Sequence, residues 1–386
     1  MAGIEGELRL RVRWDGSRVR AVEIASTRAV AASRVLEGKT PREAAALVPM
    51  LFSLCGRAQG AAALRAWEGA LGIAPDAGAT RARDWAVAAE AVQENLWRLT
   101  LDWPETLGEA PATEAFAAWR RRLSALSTAL MKAEGWNEAG NPVAIPEREL
   151  RAAGAELAQW LGSELLGTDV QSWLAETELE DWWSRGTTPA ARMLRRLFEG
   201  EGLAGRGAVT LMAPASAHSL TRVLERTLRE PGFAARPDWH GTPRETGALA
   251  RMRRQPAIAA ALRRHGNCVA VRVLARLAET AVLALGMAGG AKAGLVDGTT
   301  LAPEVGAAWA ETSRGLLAHA VGMANGRILR YRILAPTEWN FHPDGPFAQG
   351  LRGMKADSEA GLQRAMRLQA LALDPCVAYQ AVVAHA

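Results

Sequence analysis

The sequence predicts a mainly helical α+β protein in which small β-hairpins accompany long amphipathic helices. Three observations lead there. Apolar residues recur every three to four positions through the middle of the chain. A strictly alternating segment opens it, and an Asn-Gly pair joins two strand-like segments near its end. Of the 386 residues, 49% are hydrophobic, enough for a sizeable core and too many for a disordered chain.

In chain order, Leu8, Leu10, Val12 and Trp14 alternate with Glu7, Arg9, Arg11 and Arg13. Asp15-Gly16-Ser17 makes a turn and Val19 to Ile24 returns as the second strand. Thr40, Pro41 and Glu43 spell a helix start: an N-cap, a proline at the first helical position and a capping box. Pro49 ends or kinks that helix, and Leu51-Phe-Ser-Leu-Cys55-Gly56 leads into a second one through Ala61, Leu64, Trp67 and Leu71. Helices are expected over about 80–100, 112–134, 147–166, 188–199 and 216–229, with most of the 14 tryptophans packed between them. One or two apolar helices follow over 256–286. Leu316 to Ala324, Asn325-Gly326 and Arg327 to Leu334 form the second hairpin, and a last helix from about Ser358 to Leu373 runs into Asp374-Pro375-Cys376. No repeat, low-complexity linker or charge block marks a boundary, so a single domain over 1–386 is the simplest organisation.

The net charge is +5, and lysine occurs only at Lys39, Lys132, Lys292 and Lys355. The arginines form short clusters (Arg120 to Arg122, Arg251 to Arg254, Arg263 and Arg264) with no nucleic-acid-binding motif beside them, so no nucleic-acid partner is expected. The opening residues mix charged and apolar side chains and do not read as a signal peptide. The longest apolar stretch, Thr280 to Ala291, falls short of the roughly 20 residues that span a bilayer. Three cysteines far apart do not make a disulfide framework. A soluble protein of the reducing cytoplasm, with no membrane partner, is the expectation.

Two segments carry chemistry. Ser53-Leu-Cys55-Gly56-Arg57-Ala58 follows Leu36-Glu-Gly-Lys-Thr-Pro41, and Asp374-Pro375-Cys376-Val377-Ala378-Tyr379 lies near the other end. Together they resemble the two metal-binding motifs of the [NiFe]-hydrogenase large subunit, each a Cys-x-x-Cys pair. Further segments match in order. Glu245-Thr-Gly247-Ala-Leu249-Ala-Arg251 resembles Gly-Pro-Leu-Ala-Arg, Glu311-Thr-Ser-Arg314-Gly315 resembles Glu-Ala-Pro-Arg-Gly, and Pro336-Thr-Glu-Trp339-Asn340 resembles Pro-Thr-Thr-Trp-Asn. The resemblance implies a [NiFe]-hydrogenase large-subunit-like fold, with residues 29–72 and 310–386 carrying the motif halves and a divergent helical middle over 100–240.

The departures are as informative. In the enzyme four thiolates hold nickel, and two of them also bridge to an Fe(CN)2(CO) unit, because soft sulfur donors suit both metals. Here each pair keeps only its first cysteine. Ala58 and Tyr379 occupy the second positions, Ser33 falls near that of the proton-transfer glutamate, and Val382 replaces the histidine after the last cysteine. The end at Ala386 leaves the expectation that no extension remains for a protease to remove. This pattern is similar to that of the HupK/HoxV hydrogenase accessory proteins.

That resemblance implies a scaffold rather than an enzyme. Cys55 and Cys376 would form a two-thiolate clamp for a transient Fe(CN)2(CO) fragment, with no nickel. Arg314 and Asp374 match charged residues over the enzyme's metal site, where Arg314 could donate to cyanide nitrogens and Asp374 could orient it. The ordinary readings are a solvated arginine and an N-cap aspartate. Cys55, at a helix start, should have its thiolate favoured by the helix dipole, while Pro375 fixes the approach of Cys376 to a following helix. Cys268 reads as a buried small hydrophobe, and His342 and His385 as structural or exposed. Small HypC/HupF-type chaperones and the hydrogenase large-subunit precursor are the partners implied. Two other functions stay open: a metal-free interaction protein in hydrogenase assembly, and a divergent [NiFe]-type oxidoreductase.

Overall fold

Alternation at the start of the chain produces the first strand pair. In the computed structural model, which describes residues 6–27, 30–290 and 294–385, β1 (Glu7–Trp14) and β2 (Val19–Ser26) pair antiparallel. Leu8, Leu10, Val12 and Trp14 are buried as the pattern requires. Asp15 closes the turn by accepting the N–H groups of Ser17 (2.9 Å) and Arg18 (2.7 Å). The segment after Cys376 is not the expected helix but a third strand, β7 (Ala378–His385), which pairs parallel with β1 along its whole length. The sheet order is therefore β2-β1-β7, and the two ends of the chain lie side by side. Met1–Glu5, residue 29 and residue 291, on which the reading of the leader, one motif boundary and the apolar run partly rested, lie outside the described residues.

The helix starts fall where the capping signals put them. Thr40 and Glu43 form the capping box of α1 (Pro41–Leu51), and Pro49 sits in its last turn. A tight turn at Ser53–Cys55 redirects the chain into α2 (Gly56–Leu71). Long helices follow at α3 (Ala77–Trp97), α4 (Thr113–Lys132), α5 (Glu147–Trp160), α6 (Pro189–Phe198) and α7 (Ala217–Arg229). The apolar 256–286 stretch divides into α8 (Pro256–His265) and α9 (Val269–Gly289), with buried Cys268 as the N-cap of α9. Helix α10 (Glu359–Leu373) takes its N-cap from Ser358. Helix α3 runs on through a π-helical turn at Arg98–Asp102. Such turns widen the helix and re-aim side chains. Among the described residues no single helix is long and apolar enough to cross a membrane.

The second sheet is larger than a hairpin. Strands β3 (Val296–Ala302) and β4 (Val305–Thr312) precede the expected pair β5 (Gly315–Ala324) and β6 (Arg327–Leu334), and the four pair antiparallel in sequence order. Helix α2 lies directly against this sheet. The approach is so close that a Cβ on Gly306 would fall 2.1 Å from the Ala66 carbonyl oxygen, and one on Gly69 2.6 Å from that of Thr299. Beneath α2, His319 of β5 and Tyr331 of β6 are completely buried. Burial pushes the His319 imidazole down to about 3, so it is neutral. Helix α9 runs through the interior against α3 and α5. Its charged residues are paired: Arg272 donates to both oxygens of buried Glu245 at 2.7 and 2.9 Å.

Two outcomes follow. Gly306→Ala drives a methyl into the α2 backbone and should destabilise the fold by about 2 kcal/mol in urea unfolding, whereas Gly353→Ala, at an open turn, should not share that steric cost. Neutral His319 makes stability fall with acid: the unfolded imidazole takes up a proton below about pH 6.5 and the folded one does not until near 3. The unfolding free energy lost between pH 7 and pH 5 should therefore be about 2 kcal/mol smaller in His319→Asn than in the unsubstituted protein.

Candidate functional site

Four sequence-distant segments meet at one place. Arg314 sits in the tight turn between β4 and β5, where the Arg314 N–H donates to Thr312 Oγ1 (3.2 Å) and Gly315 has φ +129°. The Glu245–Gly247 stretch packs onto this turn, and Thr246 Oγ1 accepts the Leu316 N–H (2.9 Å). Asn340 fastens the two together. Its Oδ1 accepts the Thr246 N–H (3.0 Å) and its Nδ2 donates to the carbonyls of Thr246 (3.1 Å) and Arg314 (3.3 Å). Asn340 ends a short helix (Pro336–Asn340), and from it Thr337 Oγ1 accepts the Cys376 N–H (3.2 Å) and lies 3.0 Å from Cys376 Sγ. The motifs that looked separate in the sequence are one interlocked unit.

Asp374 is the charge centre. It ends α10 in the left-handed conformation (φ +51°), not as an N-cap. Its Oδ1 accepts Arg98 Nε (3.1 Å) and Nη2 (2.8 Å), its Oδ2 accepts Arg276 Nη1 (3.3 Å), and Arg314 Nε stands 3.4 Å away. Burial alone would raise this carboxyl. The guanidinium groups of Arg314, Arg98 and Arg276 overcome it and hold the group well below the usual carboxylate range. Asp374 and Arg314 thus form an ion pair, joined by Arg98 and Arg276, which were not foreseen. Arg314 is 4% exposed and donates to Glu94 Oε2 at 2.8 Å, while its Nε–H faces Asp374 and makes no hydrogen bond among the described residues.

The two cysteines lie within reach of each other's field. Cys376 is buried and Cys55 partly exposed. Burial, then a charge on Cys376, then Glu90, push the Cys55 thiol up to about 12, with Gln59 and Arg314 acting the other way. The expectation of a favoured thiolate is therefore corrected. The α2 amides that would have stabilised it, those of Arg57 and Ala58, are taken by the buried carboxylate of Glu90 at 2.9 and 3.2 Å. Burial brings Glu90 itself up to about 7. Burial lowers the Arg314 guanidinium, and Asp374, Glu94 and then a charge on Cys376 raise it above its ordinary range. Arg314 is thus coupled electrostatically to both sulfurs.

The second positions of each pair hold no sulfur. Ala58 is fully buried at the start of α2, and Tyr379 is half-buried on β7. Ser33 is buried and donates to the Tyr331 carbonyl (3.0 Å), and Val382 is exposed. His342 accepts the Asp344 N–H, and His385 lies 3.7 Å from Glu359, both away from the cysteines' polar partners. Among the described residues no group of three or more His, Cys, Asp or Glu side chains converges as a metal cage. Glu90, Glu94, Arg98 and Arg276 escaped the sequence reading. The signal was there, since each interrupts the apolar face of a helix in α3, its π extension or α9.

No protein-family model matches the chain. In fold it is similar to the Ni-Fe-Se hydrogenase of D. vulgaris Hildenborough, with a TM-score of 0.67 at 16% identity, covering 96% of each chain. A second solved structure, the Ni-Fe-Se hydrogenase of Desulfomicrobium baculatum, gives 0.64 at 15% identity with 95% of each chain covered. These likenesses establish the [NiFe]-hydrogenase large-subunit-like fold. Sequence relatives are nearer. The hydrogenase expression/formation protein HoxV of Cupriavidus necator is 31% identical, covering 92% of this chain and 91% of its own. HupK of Rhizobium leguminosarum bv. viciae is 31% identical (95% and 93%), and HupV of Azotobacter chroococcum 30% (99% and 99%). On that identity over nearly its whole length, the chain belongs to the HupK/HoxV family of hydrogenase expression/formation proteins.

Proposed function

We propose that this protein is a cytoplasmic maturation scaffold, not an enzyme, that carries Fe(CN)2(CO) as transient cargo between Cys55 and Cys376. The observation that supports the reading is the electrostatic coupling of Cys55 with Cys376, and of each with the buried guanidinium of Arg314. A low-spin iron already bearing three diatomic ligands has few positions left, and two thiolates complement it. The cyanide nitrogens are acceptors that suit a buried guanidinium donor. Ala58 and Tyr379 remove the sulfurs that would bridge a second metal, so nickel is not part of the cargo. A two-sulfur hold is also weaker than a four-sulfur one, which suits a fragment that must move on.

The recipient is the hydrogenase large-subunit precursor, and the donor a small chaperone of the HypC/HupF type. Membership of a family of hydrogenase expression/formation proteins supports that placement.

The test is the infrared spectrum of the protein isolated without oxygen from cells that express the maturation machinery. Bands in the CO and CN stretching region are expected, and both Cys55→Ala and Cys376→Ala should lose them. A clean spectrum from a protein that still restores hydrogenase assembly would establish the metal-free role instead, and hydrogen turnover with nickel would establish an oxidoreductase. Arg314→Lys keeps the charge but not the planar fork. It should shift the CN bands and lower retained iron several-fold while leaving the CO band nearly in place.

A further inference from the structure

Cys55 is the end of a buried chain of neutral side chains. One turn along α2, Gln59 Nε2 lies 3.5 Å from Cys55 Sγ. The Gln59 Oε1 lies 2.9 Å from His319 Nε2, and His319 Nδ1 lies 2.6 Å from the Tyr331 hydroxyl. Gln59, His319 and Tyr331 are each 1% exposed or less. This chain reaches the sulfur from the sheet side, through β5 and β6, opposite in sequence and partners to the Asp374 cluster.

The direction of each hydrogen bond follows from its neighbours. A neutral imidazole has one N–H. Gln59 Oε1 can only accept, so the proton is on His319 Nε2, and His319 Nδ1 accepts the Tyr331 O–H. The Gln59 Nε2–H then donates to the sulfur. Turning the amide over would reverse every bond: the sulfur would have to donate its S–H, His319 Nδ1 would carry the proton, and the Tyr331 hydrogen would lose its acceptor in a buried place. The tyrosine therefore sets the polarity of a chain that ends at a sulfur.

We infer that Gln59 is a positioning residue, oriented by His319 and Tyr331, that holds a fixed N–H on the Cys55 sulfur and sets how strongly that sulfur donates. Its place in cargo handling rests on the reading of Cys55 as an iron ligand. A thiolate that accepts an N–H is a weaker donor to a bound metal, so the chain makes the hold on the cargo reversible.

Two readouts on the full-length protein separate this inference from the scaffold reading. The first needs no iron: the rate of Cys55 alkylation by iodoacetamide at pH 8, resolved by mass spectrometry. Loss of the N–H leaves less thiolate of slightly greater nucleophilicity, so Gln59→Leu should slow alkylation about threefold. Tyr331→Phe, which keeps the ring in place and touches no sulfur, should slow it about twofold. The second readout is the infrared spectrum of the iron-loaded protein, where both variants should move the CO band to lower wavenumber as the sulfur donates more. Slowed alkylation in both variants supports the inference. Unchanged alkylation in both overturns it, whatever the spectrum shows. If the unsubstituted protein carries no CO or CN bands, the scaffold reading falls and the alkylation rates alone decide the role of Gln59.

Discussion

A single carboxylate organises the interior of this protein. Asp374 draws together Arg98 from the π-helical turn after α3, Arg276 from the middle of α9 and Arg314 from the β4–β5 turn. Each arginine would be costly to bury without a counter-charge, and so would Asp374 without them. The cluster makes sense only as a unit. Its geometric effect is larger than its energetic one, because it fixes the end of α10, and hence Cys376 two residues on, against elements drawn from the whole length of the chain. The left-handed conformation of Asp374 is the local strain that this arrangement holds in place.

Cys55 is placed by a different means. Helix α2 is pressed onto the sheet through Gly69 and Gly306, with no space for a methyl group at either. Glu90 then takes the first free amides of that helix, so the dipole that could have activated the thiol is spent on a carboxylate. Ala58, which the motif resemblance aligns with a second sulfur of the enzyme, has an amide that is one of the two bound. Substituting that residue therefore alters more than a ligand count. The Cys55 thiol is a protonated, reluctant group, and it becomes a thiolate only against the cost of burial and of its cysteine neighbour.

Local chemistry made much of the fold legible. The Thr40-Pro41-Glu43 box, the Ser358 cap and the Asn325-Gly326 turn act within a few residues, and each element stands where they put it. Strand β4 was hidden because it is buried on both faces, so Val305-Gly-Ala-Ala-Trp-Ala shows none of the alternation that marks an exposed sheet. Strand β7 was hidden because its partner lies at the far end of the chain, and parallel pairing leaves no turn to announce it. The site was half legible. Cys55, Cys376, Arg314 and Asp374 sit in recognisable motifs. Glu90, Glu94, Arg98, Arg276 and Gln59 are helix residues whose importance depends on what faces them in space.

The parallel pairing of β7 with β1 has a consequence for synthesis. The strand that anchors the residues just past Cys376 leaves the ribosome long after β1, the strand on which it docks. Until then Cys55 has no counterpart, however well α2 has already formed. The surroundings of Cys376 are thus completed only when the polypeptide closes on itself.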